Sequence, residues 1–109
     1  MTKAVSKRPS KALIHQDNDQ LAGMAWGIAH PVRVQILQIL CTGDCCGCGQ
    51  IVDCLPLAQS TVSQHLKILC KSGLVKAEQQ GNRTIYSVDR DQLERLKTLV
   101  QTFDQVCVC

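Results

Sequence analysis

The sequence predicts a mainly α fold carrying one β-hairpin, a winged helix-turn-helix, and three observations predict it. Over Ala58–Leu69, Val62, Leu66 and Leu69 fall at i, i+4 and i+7 and form one apolar stripe. Ser60, Gln64, Lys67 and Lys71 repeat along another face of the same helix, flanked by Thr61, Ser63 and His65. Short hydroxyls, an amide and lysines are the groups that bond base edges and phosphates from the major groove. The second observation is the punctuation: Leu55-Pro56-Leu57 makes a tight turn before this helix, and Gly73 caps it after Lys71-Ser72. The third is a pair of strand-like runs, 74–78 and 84–88, around Gln79-Gln80-Gly81-Asn82-Arg83, which gives a hairpin with Gly-Asn at its turn.

The other elements follow in order. Residues 1–16 are polar, with Lys3, Lys7, Arg8 and Lys11 making them basic, and are expected to form a flexible tail. Asp17-Asn18-Asp19 offers N-caps for a first helix over Gln20–Ala29. Pro31 suits the first turn of a second helix, whose buried face is Val32, Ile36, Leu37, Ile39 and Leu40 and which stops at Thr42-Gly43. The segment Gly43-Asp44-Cys45-Cys46-Gly47-Cys48-Gly49 has no core-forming pattern and leads into a short third helix, Gln50–Leu55. After the hairpin, Asp89 caps a last helix running to Val106. There Leu93, Leu96, Val100 and Phe103 sit at i, i+3, i+7 and i+10, a seam suited to pairing with a second copy. The expected organisation is a tail over 1–16, one DNA-binding and dimerisation domain over 17–106, and a cysteine-bearing tail over 107–109.

Composition narrows the function. A chain of 109 residues with three aromatics (Trp26, Tyr86, Phe103) has a small aliphatic core that a dimer interface would help to stabilise. The net charge of +3 suits contact with nucleic acid. There is no apolar leader and no run of membrane-spanning length, so no membrane partner and a cytoplasmic location are expected. In that reducing setting the eight cysteines should be free thiols. Gly-rich phosphate loops and nucleophile–base pairs are absent, and His15, His30 and His65 fit structural or DNA-contacting roles better than catalytic ones. No enzyme is expected.

His30-Pro31-Val32-Arg33, the run Gln59–Lys67, Ser72-Gly73-Leu74-Val75 and the Gly81–Tyr86 wing together resemble the ArsR/SmtB metalloregulatory repressors, over about residues 19 to 106. The resemblance implies a homodimer joined through its first and last helices. It also implies binding to double-stranded operator DNA at an inverted repeat until an inducer releases it. It places Ser60, Thr61, Ser63, Gln64 and His65 in the major groove, with Lys67 beside them, and gives Arg83 and Tyr86 to the wing. Ala58 departs from the serine cap usual in such proteins, at a cost of about 1 kcal/mol of helix stability.

The family often carries Cys-x-Cys at the start of the third helix, and Cys46-Gly47-Cys48 matches that pair. Unpaired N–H groups and the dipole at a helix N-terminus favour thiolates there. Where arsenic sensors of the family place a third thiol, this chain has Ile51, so the missing ligand falls to Cys45, Cys107 or Cys109, from the same subunit or its partner. Cys54 is expected to be a buried structural thiol, and Cys41 and Cys70 to pack as small apolar residues. The family's histidine–carboxylate zinc site, its site with N-terminal cysteines and its two-cysteine persulfide site are not matched. The remaining set, Cys45, Cys46, Cys48, Cys107 and Cys109, is all sulfur, which favours As(III) or Sb(III) as inducer. A cadmium, lead or zinc thiolate site and a thiol redox switch are the alternatives.

Overall fold

The computed structural model describes residues 11–43 and 46–107. Cys45, Cys109 and the basic residues Lys3, Lys7 and Arg8 lie outside the described residues. In chain order the described elements are α1 (Lys11–Gly27), α2 (Pro31–Thr42), β1 (Cys46–Gly47), α3 (Cys48–Asp53), α4 (Gln59–Lys71), β2 (Val75–Gln80), β3 (Arg83–Val88) and α5 (Arg90–Val106). This is the expected winged helix-turn-helix with two changes at its edges. α1 starts nine residues before the expected Gln20, so Asp17-Asn18-Asp19 lies within the helix and does not cap it. α3 starts at Cys48 and ends at Asp53, two residues ahead of the expected span at both ends.

The second change has a local cause. Cys46 and Gly47 form a short strand that pairs antiparallel with β3, Cys46 opposite Tyr86 and Gly47 opposite Ile85. The sheet therefore has three strands in the order β1-β3-β2, where the sequence pattern showed two. A two-residue strand has no periodicity to detect. The strand stops because Gln50 reaches back and its Oε1 accepts from Gly47 N at 3.0 Å, which satisfies a donor at the start of α3.

The remaining local signals act as their chemistry dictates. His30 caps α2, its Nδ1 accepting from Val32 N at 3.1 Å. Asp89 caps α5 by accepting from Gln92 N at 3.2 Å. Ala58 occupies the N-cap of α4 without a side-chain bond, so only its carbonyl serves the first turn. Gly73 (φ 88°) and Gly81 (φ 64°) take the left-handed conformations that end α4 and turn the hairpin.

Two apolar clusters hold the chain together. The main one gathers Ile36 and Leu40 of α2, Ile51 of α3, Val62, Leu66 and Leu69 of α4, and Val75 and Val88 at the foot of the hairpin. The smaller one packs Met24 of α1 against Leu74, Leu96 and Leu99, and Arg95 Nε donates to Gln20 Oε1 at 3.0 Å to tie α5 to α1. Burying a leucine-sized side chain stabilises by about 2 kcal/mol, so α4, with three side chains fully enclosed, is the best-anchored helix.

The seam expected on α5 divides. Leu93 and Leu96 face their own chain, and Leu99, outside that seam, is buried beside them. Val100, Phe103 and Val106 remain 48%, 53% and 66% exposed.

Three cysteines correct the sequence reading or support it. Cys54, expected to be buried, is the exposed C-cap residue of α3, because the helix ends earlier than its pattern suggested. Cys41, expected to pack as an apolar residue, is exposed near the end of α2. Cys70 does pack against the main cluster, and burial raises its thiol pKa. No helix among the described residues is long and apolar enough to cross a membrane.

Candidate nucleic-acid interface and thiol site

α4 organises the site through its angular layout. At about 100° per residue, Val62, Leu66 and Leu69 occupy one arc, which is buried. The opposite arc carries Ser60, Thr61, Gln64, Lys67 and Lys71, all exposed. Ser63 and His65 lie about 160° apart on the two borders between these arcs, and both are partly buried. Of the residues expected to read DNA, Ser60, Thr61, Gln64 and Lys67 thus present free polar side chains on one convex face. Ser63 and His65 are already engaged inside the protein.

Ser63 engages the thiol pair. Its Oγ lies 3.6 Å from Cys48 Sγ, a weak sulfur–hydroxyl contact between the first residue of α3 and the recognition helix. Cys46, two residues earlier in β1, packs against the main cluster directly across from Tyr86. Tyr86 is half-buried on that cluster. Burial first, and then the nearby Cys48 and Cys70, push its phenol above the ordinary value, which keeps it neutral. Arg83 folds over the same strand: a Cβ added to Gly47 would come within 3.2 Å of Arg83 Nη2, so glycine permits the approach. An open cleft of about 600 Å³ separates α3 and the start of α4 from the wing, lined by Cys48, Gln50, Gln59, Ser63, Arg83 and Tyr86 among others.

Cys46 and Cys48 are the part of the expected thiol set that the fold brings together. Cys107 is exposed beyond the end of α5. Every residue from Val100 to Cys107 is exposed. Among the described residues no three His, Cys, Asp or Glu side chains gather as a metal-holding group.

His65 engages a cluster that sequence reasoning missed. Arg33 is 6% exposed, and its guanidinium donates from Nε to Gly27 O at 2.8 Å and from Nη2 to Trp26 O at 3.1 Å. Nη1 lies 3.3 Å from His65 Nδ1, and the guanidinium carbon sits 5.9 Å from the Trp26 ring centre. The His30 ring is 4.5 Å from that of His65, tilted by 50°. Burial first, then His30 and Arg33, lower the His65 pKa below its ordinary value. A signal for Arg33 was present: it shares a stripe with Ile36 and Leu40 at i, i+3 and i+7, and an arginine in a buried stripe has to be fully bonded.

Comparison with known proteins agrees with this geometry. Residues 30–77 match the family model described as bacterial regulatory protein, arsR family. The arsenical resistance operon repressor of Staphylococcus xylosus is 29% identical over 85 residues, 75% of this chain and 81% of that protein. The HTH-type transcriptional regulator CmtR of Mycobacterium tuberculosis is 38% identical over 94 residues, 81% of this chain and 79% of that protein. Among solved structures, a homodimeric winged helix-turn-helix DNA-binding domain from Mycobacterium bovis superposes with a TM-score of 0.70 at 27% identity, covering 91% of each chain.

Proposed function

This chain belongs to the arsR family of bacterial DNA-binding regulators, which are not enzymes, and from that premise we propose that it is a homodimeric repressor induced by As(III) or Sb(III). The observation that carries the reading is the seat of Cys46 and Cys48. One is hydrogen-bonded into the sheet opposite the wing residue Tyr86, and the other touches Ser63 of the recognition helix.

The donors fit a thiophilic metalloid. The cleft beside the pair contains no histidine, and Asp53 is its one carboxylate. Soft thiolates without imidazole suit trivalent arsenic and antimony. Cys46 and Cys48 would supply two sulfurs. The third is assigned to the tail, Cys107 or Cys109, of the partner subunit, with Cys107 exposed past the end of α5. Val100, Phe103 and Val106 form the apolar face on which that partner packs, and the homodimeric relative supports a dimer. Cys45 stands next to the pair in sequence as a reserve thiol.

This chain's residues then convert occupancy into release. Drawing Cys46 and Cys48 towards a shared ligand strains a two-residue strand, loosening β1 from β3 and withdrawing Cys48 from Ser63. The wing and the recognition helix lose their mutual register, and only a ligand that favours that loosened state can induce. Ser60, Thr61, Gln64 and Lys67, with Ser63 and His65 at their borders, are assigned to the groove, and Arg83 and Tyr86 to the wing.

The test is fluorescence anisotropy on reduced protein bound to operator DNA, titrated with arsenite, antimonite, cadmium and zinc. Release is expected at about one metalloid per subunit with zinc inert, and both Cys46→Ser and Cys48→Ser should bind operator but resist release. Release by cadmium or zinc alone would replace the metalloid site with a four-thiolate one. Release by peroxide that reductant reverses, without metal, would replace it with a redox switch.

A further inference from the structure

The cluster around His65 points to a ligand of its own. Arg33 is an obligate donor, so the His65 Nδ1 that faces it at 3.3 Å must be the acceptor, and the ring proton sits on Nε2. His30 is fixed in the same tautomer, because its Nδ1 accepts from Val32 N. Two imidazoles with ring centres 4.5 Å apart therefore each hold an N–H donor on the edge turned away from their internal partners. The two Nε2 atoms are no more than about 7 Å apart, a span that two bonds of about 2.8 Å to neighbouring oxygens of one phosphate can cover. Both rings reach solvent, His30 being exposed and His65 partly so.

We infer that His30 and His65 form a two-donor clamp for a phosphate of the DNA backbone, placed on the α2 border of the recognition helix. Thr61, one turn before His65, is on the exposed arc of α4, so a duplex lying on that arc runs its backbone past the pair. Arg33 supplies the fixed positive charge behind the clamp and holds His65 in the donor tautomer. The titratable and charged groups that bear on His65 are His30 and Arg33, both on the α2 side. Nε2 of each ring already carries the donated proton, so the clamp works with neutral imidazoles; a further proton on His65 Nδ1 would set it against the Arg33 guanidinium. The clamp uses none of the cysteines and stands or falls apart from the inducer assignment.

The experiment places single neutral methylphosphonate linkages along one operator half-site and measures affinity for the wild-type protein and for His30→Asn. Asparagine keeps the N-cap bond to Val32 N but is too short to reach the backbone. Wild-type affinity should fall about three- to tenfold at one linkage, His30→Asn should show the same loss on unmodified DNA, and the two losses should not add. The slope of log Kd on log salt should become shallower by up to about 1 in the variant. Additive losses, or an unchanged linkage profile in His30→Asn, would overturn the clamp. So would imidazole shifts driven by inorganic phosphate alone with no linkage sensitive in DNA.

Discussion

The two borders of the recognition helix are held in opposite ways. On the His65 border, a buried arginine makes contacts at 2.8, 3.1 and 3.3 Å that bind α4 to the end of α1. On the Ser63 border, one sulfur–hydroxyl contact of 3.6 Å and a two-residue strand join α4 and the wing to the thiol pair. A ligand can shift a conformational equilibrium only by its differential affinity, a few kcal/mol in practice. The stiff border fixes where the helix points relative to α1, and the soft one is where such an energy suffices to move it.

Breaking the stiff border should have the largest effect. Arg33→Ala takes the side-chain donor from the Gly27 carbonyl, leaves the Trp26 carbonyl only Ala29 N, and leaves His65 without its partner, at an expected cost of about 3 kcal/mol in urea unfolding. Arg33→Lys restores the charge but not the fork, and should recover less than half of that loss. Cys48→Ser, on the other border, should cost under about 1 kcal/mol. Equal costs at the two borders would erase the contrast.

The stiff border matters for DNA because α1 packs with α5, and α5 carries the exposed apolar face. Phe103→Asp puts a charge on that face, where the side chain is 53% exposed in a single chain. Sedimentation should show dimerisation weakened more than tenfold, with operator affinity falling alongside it and the unfolding of the monomer nearly unchanged. Loss of monomer stability instead would mean that Phe103 belongs to the core of its own chain.

How much of this was legible in the sequence depended on the length of the pattern. Val62, Leu66 and Leu69 lay on a thirteen-residue helix with flanking turn and cap signals, and all three are fully buried. The hairpin was equally plain from Gly81-Asn82 between two strand-like runs. β1 was invisible because two residues have no period, and its pairing moved α3 forward, which in turn exposed Cys54. The α5 seam was half right: helical spacing shows that Leu96 and Val100 are near neighbours on the surface, but not which one the rest of the chain covers. Arg33 could have been found by asking why a charge sits in an apolar stripe. The Cys48–Ser63 contact could not, since it joins residues fifteen apart across a turn whose geometry no local pattern records.

A smaller effect sharpens the account of the stiff border. The folded state holds the His65 pKa below the usual value of about 6.5, so the unfolded chain takes up its proton first as pH falls. Stability is therefore present above about pH 6.5 and is lost as pH drops through the lower folded value. Thermal melts at pH 7.5, 6.5 and 5.5 should show this decline in wild type and a flatter profile in His65→Gln. Operator affinity should instead stay nearly flat from pH 8 to 6.5 if a phosphate meets the clamp, because the donating Nε2 protons are already in place. A decline in both would mean that His65 only packs.

The smallest change in stability tests the soft border most directly. Ser63→Ala removes the oxygen facing Cys48 and leaves both thiols, β1 and the apolar arc of α4 untouched. Its cost in unfolding should be a few tenths of a kcal/mol, because a 3.6 Å sulfur–hydroxyl contact is weak and half-solvated. The informative quantity is a ratio: operator Kd with saturating arsenite divided by Kd without it, which cancels any direct contribution of Ser63 to DNA contact. If the Cys48–Ser63 contact carries part of the coupling, the ratio should fall several-fold in Ser63→Ala while arsenite binding itself is unchanged. An undiminished ratio would shift the coupling to the β1–β3 pairing and the packing of α3 on α4. Gly47→Pro, which removes the amide that donates to Gln50 and so loosens the junction of β1 with α3, should then lower the ratio on its own.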